Sequence, residues 1–375
     1  MPDAQPPTHS EPVADFLANT YAPAHRQFAW RNDWPGGFAA WQNALRAALF
    51  DRLGLTQMAI DLGDPATRSP ADIPVEFGAI ETRDGYRRQR CSIETEPGVR
   101  IAFWLLTPNE TDIHNATDKS AKPRPLAILP HGHGESFAYV GDYHSEYERQ
   151  RIIHECRDVA VQAVRRGFIA IAPDTRGLAS TEERFRIDDI TNKHAGRHCV
   201  AHHWQVMLAG RTAVGERVWD LMRILDVALA WPAVDTSRVL MLGNSGGGMA
   251  TLHTAACDPR VTVVVPSCAF NRYVGDHLAL RHCACNMIPG MLRLGEMWDI
   301  AGLVAPRPLL TVNGRDDALH PVHEVDDAAA RLAAIYEASE TDSGVGAGDR
   351  YAHRWGEGGH QFYPDHIWPW VEANL

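Results

Sequence analysis

Five short, predominantly apolar runs constrain this chain more than any other feature: Leu126–Pro130, Phe168–Pro173, Val239–Leu242, Val261–Pro266 and Pro308–Val312. A run of that length without polar alternation suits a strand covered on both faces, as in a parallel sheet. Helix-like stretches lie between them, over Arg151–Arg166, Ala213–Ala230, Gly246–Ala256 and Val322–Glu337. Parallel strands cannot be joined by a tight turn, and a helical crossover is the usual solution. The pattern therefore predicts an α/β fold with a doubly wound, mostly parallel sheet flanked by helices. A site in such a sheet belongs at the C-terminal ends of the strands, where the loops converge.

The rest of the chain is read around that sheet. The polar, Pro-rich first twenty residues are expected to fray. Phe38, Trp41, Leu45, Ala48, Leu49 and Leu53 recur at helical spacing, predicting an amphipathic helix over Gly37–Met58 that packs on the body or on a neighbouring subunit, which leaves a homo-oligomer open. Asp61–Pro74 and Pro108–Pro125 read as loops. Tyr86–Glu94 and Val99–Leu106, joined by Glu96-Pro97-Gly98, read as an antiparallel hairpin. An insertion near residues 180–212, containing the His-rich stretch Ile187–Gly210, breaks the strand–helix rhythm over one edge. The expected division is an N-terminal extension, 1–80, and a catalytic body, 81–375.

Gly243-Asn244-Ser245-Gly246-Gly247-Gly248 falls between the strand Val239–Leu242 and the helix starting near Gly246. G-x-S-x-G in that setting is a nucleophile elbow, a turn so sharp that small neighbours are required and the serine hydroxyl is exposed at a helix N-terminus. A serine hydroxyl needs a base to remove its proton. In chain order the partners follow as acid, then histidine. Asp317, in Asp317-Ala318-Leu319-His320-Pro321 after the strand Pro308–Val312, is the preferred acid, with Asp316 the runner-up. His360, after Gly356-Glu357-Gly358-Gly359, is the preferred base, with His353 and His366 as weaker alternatives. An oxyanion hole needs pre-aimed backbone N–H groups. Gly246 should supply one; the loop His131-Gly132-His133-Gly134 should supply the other from His133, with Gly134 close behind.

The region from about residue 80 onward resembles the α/β-hydrolase superfamily, in particular its acetyl xylan esterase-like, dienelactone hydrolase-related branch. The strings that carry the likeness are His131-Gly132-His133-Gly134, Asp174-Thr175-Arg176-Gly177, Gly210-Arg211-Thr212 leading into Gly215-Glu216-Arg217-Val218, and the elbow. Cys285-Asn286-Met287-Ile288-Pro289-Gly290, Asp299-Ile300 and Ala305-Pro306-Arg307-Pro308-Leu309-Leu310 complete the series. The resemblance implies an α/β-hydrolase fold and a serine carboxylester hydrolase with Ser245, Asp317 and His360 as triad and no cofactor. It implies a small-molecule or oligosaccharide ester, acetyl or methyl, as substrate. The rival readings are an amidase or peptidase with the same triad and a catalytically silent hydrolase fold used for binding.

Several other residues carry both a functional and a plainer structural reading. Arg176 is a candidate for a substrate carboxylate, although Arg176 and Arg217 are read first as structural ion-pair partners. Asn244, Trp204, Trp298 and Phe362 are candidates for lining the substrate pocket. His194, His198 and His202 at i, i+4, i+8, beside Cys199 and His203, suggest a metal face but lack an H-E-x-x-H pattern, so a polar insertion bordering the site is preferred. Cys283-Ala284-Cys285 with His282 has C-x-C spacing and no second pair, and reads as buried structural thiols. No metal is expected. Glu296 and Asp299, three apart, have nothing around them that supports glycosidase chemistry.

Composition excludes other classes. Forty-five per cent of the chain is hydrophobic and 22% charged, ample for a large core. A net charge of −11 disfavours nucleic acid and anionic membrane as partners. No run approaches the ~18 apolar residues of a membrane span. The N-terminus lacks the basic and apolar regions of a secretory signal, and the seven cysteines are few and odd in number, so a reducing, cytoplasmic setting is expected.

Overall fold

A computed structural model describes residues 13–62, 73–113, 122–134, 136–178, 197–343 and 350–375. The helices of the N-terminal part are α1 (Val13–Thr20), α2 (Gly37–Arg52) and α3 (Leu55–Asp61). Nine strands follow: β1 (Val75–Arg83), β2 (Tyr86–Glu96), β3 (Val99–Pro108), β4 (Arg124–Ile128), β5 (Ile169–Pro173), β6 (Val234–Asn244), β7 (Val263–Ser267), β8 (Leu309–Gly314) and β9 (Tyr351–Gly356). Between and after them run α4 (Glu146–His154), α5 (Val159–Arg165), α6 (His198–Leu208), α7 (Ala213–Ala228), α8 (Gly246–Cys257), α9 (Met291–Leu294), α10 (Met297–Gly302), α11 (Val322–Ser343) and α12 (Pro364–Asn374).

The strands form one sheet in the order β1-β2-β3-β5-β4-β6-β7-β8-β9. From β5 to β9 every pairing is parallel, and β1, β2 and β3 add an antiparallel edge. Alternation of side chains explains why the central strands are apolar throughout. Leu126, Ile128, Ile169, Ile171, Val239 and Met241 point into one core, and their neighbours Ala127, Leu129, Ala170, Ala172, Leu240 and Leu242 point into the other. Both faces are covered, so neither set can be polar. This is the doubly wound, mostly parallel sheet flanked by helices that the apolar runs predict.

Three details differ from expectation. The helix expected over Gly37–Met58 is two helices, because Gly54 takes φ = 86° and breaks the first. The helix expected over Arg151–Arg166 is α4 and α5, separated where Cys156 takes φ = 52°. The strand β1 went unread: its residues are mostly exposed at the sheet edge and carry no apolar run. It begins at Val75 and crosses residue 80.

The N-terminal helix packs on the body of its own chain. Trp41, Leu45 and Leu49 of α2 are fully buried in the larger core. The guanidinium of Arg46 donates to the carbonyls of Ala256 and Leu303, satisfying acceptors at the C-terminal ends of α8 and α10. No helix among the described residues is long and apolar enough to cross a membrane. Most of the insertion near 180–212, all of the first twelve residues, and parts of the loops Asp61–Pro74 and Pro108–Pro125 lie outside the described residues.

Candidate active site

The sharpest feature of the site is the backbone at Ser245, which joins the end of β6 to α8 with φ = 58° and ψ = −121°. A left-handed, non-glycine residue of this kind costs about 1–3 kcal/mol and survives only where its surroundings enforce it. They do so here by contact. A Cβ on Gly243 would lie 2.4 Å from the carbonyl oxygen of Gly247, and one on Gly247 would lie 2.0 Å from that of Pro130. The Ser245 N–H is held by the Ser267 carbonyl at 2.9 Å. Gly246 then opens α8, where the first N–H groups have no partner within the helix.

The acid and the histidine come from the loops after β8 and β9. His360 donates Nδ1–H to Oδ2 of Asp317 at 2.6 Å. The other carboxylate oxygen of Asp317 accepts the Leu319 N–H at 3.0 Å. Burial pushes the Asp317 carboxyl up, but the hydrogen bond and charge of His360 outweigh it and hold the group below the ordinary carboxylate range. Asp316, the alternative, is exposed on the same loop. The two loops pack tightly: a Cβ on Gly314 would meet the Gly359 carbonyl at 2.1 Å. His353, the other alternative, is on β9 and turns to Thr311 at 2.9 Å; His366 lies on α12 beside Tyr363.

The glycine loop after β4 is held against the elbow. A Cβ on Gly132 would meet the Asn244 carbonyl at 2.8 Å, Ser245 Cβ at 3.1 Å and the Gly246 nitrogen at 3.2 Å. His131 anchors the loop from beneath. Its Nε2 accepts the Thr175 N–H at 2.9 Å, its Nδ1 donates to the Gly132 carbonyl at 2.7 Å, and its own carbonyl accepts from the Thr175 hydroxyl. Burial pushes this imidazole down to about 4, so it is neutral and keeps Nε2 as an acceptor.

Ser245 and His360 face one cavity of about 230 Å³, together with Gly132, His133, Gly134, Asn244 and Phe362. Asn244 is fixed at its wall by donating to Ser267 Oγ and the Gln361 carbonyl. Phe362 meets Tyr139 edge-on at 5.6 Å. The sequence reading missed Arg151, Glu155 and Arg157, which form the polar side of the cavity. Arg151 grips Glu155 with two N–H groups, at 3.0 and 3.1 Å, and Arg157 bonds the same carboxylate. Two cations against one anion leave that wall with a net positive charge. Their spacing across the α4–α5 break gave no motif.

Three candidate pocket residues are not brought there. Arg176 is buried beneath the loops, bonded to Asp220 and Glu96 with Glu216 close by, as a structural ion-pair network. Trp298 sits in the larger core between Arg26 and Arg331. Trp204 is 47% exposed on α6 and lines no part of this cavity. Arg217 also departs from expectation: among the described residues it pairs with no carboxylate and instead donates to the carbonyls of Arg176 and Cys285 and to Asn286 Oδ1. Glu296 and Asp299 form a capping box on α10. The His-rich helix face does not gather as spaced: His194 lies outside the described residues, His198 is exposed, and His202 turns to Glu216 at 2.8 Å. Cys199 turns away from it, towards His133, Cys283 and Cys285.

Known proteins resemble this chain both in a family match and in fold. Residues 117–276, which include the glycine loop and the elbow, match the acetyl xylan esterase family model. The protein YtaP of Bacillus subtilis (strain 168), provisionally designated a hydrolase, is 30% identical over 153 residues; the match covers 39% of this chain and 48% of YtaP, about half that relative's length. Among solved structures, a protein of Bacteroides fragilis provisionally designated an acetyl xylan esterase superposes with a TM-score of 0.70 at 17% identity, over 97% of this chain and 94% of that one. The methylesterase BT1017 gives 0.63 at 21% identity, over 96% and 66%. A glucuronoyl esterase from Solibacter usitatus gives 0.60 at 15% identity, over 93% and 97%. The chain has the α/β-hydrolase fold, and the acetyl xylan esterase resemblance read from its motifs holds across 117–276. Asp317 and His360 lie beyond that match.

Proposed function

We propose that the protein is a serine carboxylester hydrolase that acts on small or carbohydrate esters of acetyl or methyl type. The observation that carries this reading is the left-handed Ser245 sharing one cavity with a His360 already bonded through Nδ1 to a buried carboxylate. With Nδ1 engaged, Nε2 of His360 is the ring atom left to take the Ser245 proton. Oγ attacks the ester carbonyl, and the oxyanion is received by the N–H of Gly246 and that of His133 or Gly134. His360 returns the proton to the departing alcohol. Water, activated by the same imidazole, then releases the acid from Ser245.

The carbohydrate part of the proposal is supported by the acetyl xylan esterase match and by neighbours named as methyl and glucuronoyl esterases. It also suits the cavity wall, where Arg151, Glu155 and Arg157 offer a dense set of donors and acceptors to a hydroxyl-rich alcohol. The test is a panel of acetyl and methyl esters of sugars, simple aryl esters and aminoacyl amides, assayed with the wild type and with Ser245→Ala. Ester turnover that vanishes in the folded variant, with labelling of the wild type by a fluorophosphonate, is the expected result. Amide preference, or turnover that survives Ser245→Ala, would overturn it.

A further inference from the structure

Behind the glycine loop, four soft or borderline ligand atoms from three distant segments converge. His133 comes from the loop after β4, Cys199 from the first turn of α6, and Cys283 and Cys285 from the turn at 283–286. Their ligand atoms all lie within 4.8 Å of one another. Cys199 Sγ is 3.4 Å from His133 Nε2 and 3.9 Å from Cys283 Sγ, and Cys285 Sγ is 3.5 Å from the same imidazole nitrogen. We propose that His133, Cys199, Cys283 and Cys285 form a tetrahedral site for one thiophilic divalent cation, zinc foremost, which clamps the glycine loop to α6 and the 283–286 turn.

The dimensions decide between a metal site and a packing of free thiols. A zinc ion with bonds of about 2.3 Å to sulfur and about 2.05 Å to nitrogen makes a tetrahedron whose S···S edges are about 3.8 Å and S···N edges about 3.6 Å. The three separations given above, 3.4, 3.9 and 3.5 Å, lie within about 0.2 Å of those edges. They are far from the ~2.05 Å of a disulfide. Thiols are weak hydrogen-bond donors, so three of them around one imidazole gain little from each other alone.

Charge points the same way. Binding would release three thiol protons to solvent, and a divalent ion with three thiolates and a neutral imidazole carries −1. The guanidinium of Arg217 is 1% exposed and bonded to the Cys285 carbonyl, and among the described residues it has no carboxylate partner and one of its nitrogens has no hydrogen-bond partner. A cation buried in that way needs an anion, and the metal–thiolate cluster beside it would supply one. Four protein ligands leave no open position, which assigns the ion a structural role. His133 borders the cavity, giving the ion a route in.

Among the described residues, the apolar packing around this point is slight. Leu178, Cys199 and Cys285 form a small cluster separate from the two main cores. A metal would therefore be the principal tie between α6 and the loop whose amides are proposed to meet the oxyanion. That last consequence rests on the esterase reading; the metal site does not, and the measurement separates them.

The full-length protein, expressed with zinc, is passed through gel filtration and its metal content measured by mass spectrometry. One zinc per chain is expected, and cobalt substitution should give the thiolate-to-cobalt charge-transfer bands of a tetrahedral sulfur-rich site. Cys283→Ser and Cys285→Ser should each weaken zinc retention about a hundredfold or more, while Cys156→Ser retains it. If a cysteine variant fails to fold, His133→Gln, at an exposed side chain, takes its place and should lose zinc likewise. Background metal in the wild type with no cobalt spectrum, zinc kept in the ligand variants, or a Cys199–Cys283 disulfide found by peptide mapping would each overturn the proposal. Ester turnover plays no part in these readouts, so failure of the esterase reading would leave them intact.

Discussion

Asp317→Asn isolates the role of the buried carboxylate. In the structure Asp317 is 5% exposed, accepts Nδ1–H of His360 at 2.6 Å and accepts the Leu319 N–H through its other oxygen. The amide has the same volume, so the loop has no steric reason to move. Its effect is electronic. If the amide oxygen still accepts from Nδ1, the negative charge that stabilises the imidazolium is gone; unit charges about 4 Å apart at an effective dielectric constant of 20 attract by about 4 kcal/mol. That alone is about a thousandfold in rate. If the amide nitrogen turns towards Nδ1, the ring proton moves to Nε2 and the base that Ser245 needs is lost, adding roughly another factor of ten. A fall in kcat of about 10³–10⁴ is therefore expected, with KM little changed. Asp316→Asn, on the exposed neighbour, should stay within about twofold. The assay is steady-state hydrolysis of an aryl acetate at pH 7.5 beside thermal melting of each variant. A folded Asp317→Asn retaining more than about a tenth of wild-type kcat, or a larger loss from Asp316→Asn, would refute the assignment of the acid.

Three further outcomes follow from the same structure. Gly132→Ala inserts a Cβ 2.8 Å from the Asn244 carbonyl and 3.2 Å from the Gly246 nitrogen, so the loop must move away from the elbow; kcat should drop by about 10² as one oxyanion donor is misplaced, and unchanged kcat would show that the loop does not aim its amides there. Arg176→Ala leaves the carboxylates of Glu96, Glu216 and Asp220 facing each other in a buried site, and should cost about 3–5 kcal/mol in urea titrations without altering KM; a raised KM with unchanged stability would restore it to the substrate pocket. Stability should fall on mild acidification. Burial holds His131, His253, His320 and His353 down at about 4 and His282 at about 3, so below pH 6.5 the unfolded chain binds protons that the folded chain refuses. Burial raises Glu296 to about 7 and Asp220 and Asp299 to about 6, which works in the opposite direction. Near pH 5 the balance is about two more protons on the unfolded chain, a loss of about 3 kcal/mol per pH unit; a urea midpoint that is equal or higher at pH 5 than at pH 7 would contradict this.

The sheet was legible because each central strand is buried on both faces, and no polar residue interrupts Leu126–Leu129, Ile169–Ala172 or Val239–Leu242. The elbow was legible because close backbone contact at Gly243 and Gly247, and the Ala269 Cβ at Gly248, forbid a side chain, which writes glycine into the sequence at fixed offsets from Ser245. Asp317 and His360 were singled out by chain order, by the spacing to Pro321 and by the Gly-rich turn before His360, and the structure joins the two by a 2.6 Å hydrogen bond. What failed had no local signature. β1 lies at an exposed edge, where selection for alternation is weak. Breaks at Gly54 and Cys156 are single-residue changes of φ inside otherwise helical patterns. Arg151 and Arg157 reach the cavity because α4 and α5 meet at an angle that no sequence spacing expresses.

The cysteines show the same limit more sharply. A metal motif is read from sequence when two ligands share one turn or one helix face, because the spacing then reports the geometry. Cys283 and Cys285 are such a pair, but their partners arrive singly, His133 from a loop about 150 positions upstream and Cys199 from a helix in between. Cys199 also stands among His194, His198, His202 and His203, whose helical spacing suggests a quite different ligand set. The fold discards that set by pairing His202 with Glu216, one of the carboxylates gathered around Arg176. One rotation along α6 thus does two things: it commits a histidine to the buried ion network and turns a thiol towards the glycine loop. Removing the carboxylate, by Glu216→Gln, should therefore loosen the orientation of α6 and lower zinc retention although residue 216 is not itself a ligand. Unchanged zinc retention in that variant would mean that α6 is oriented by its other contacts.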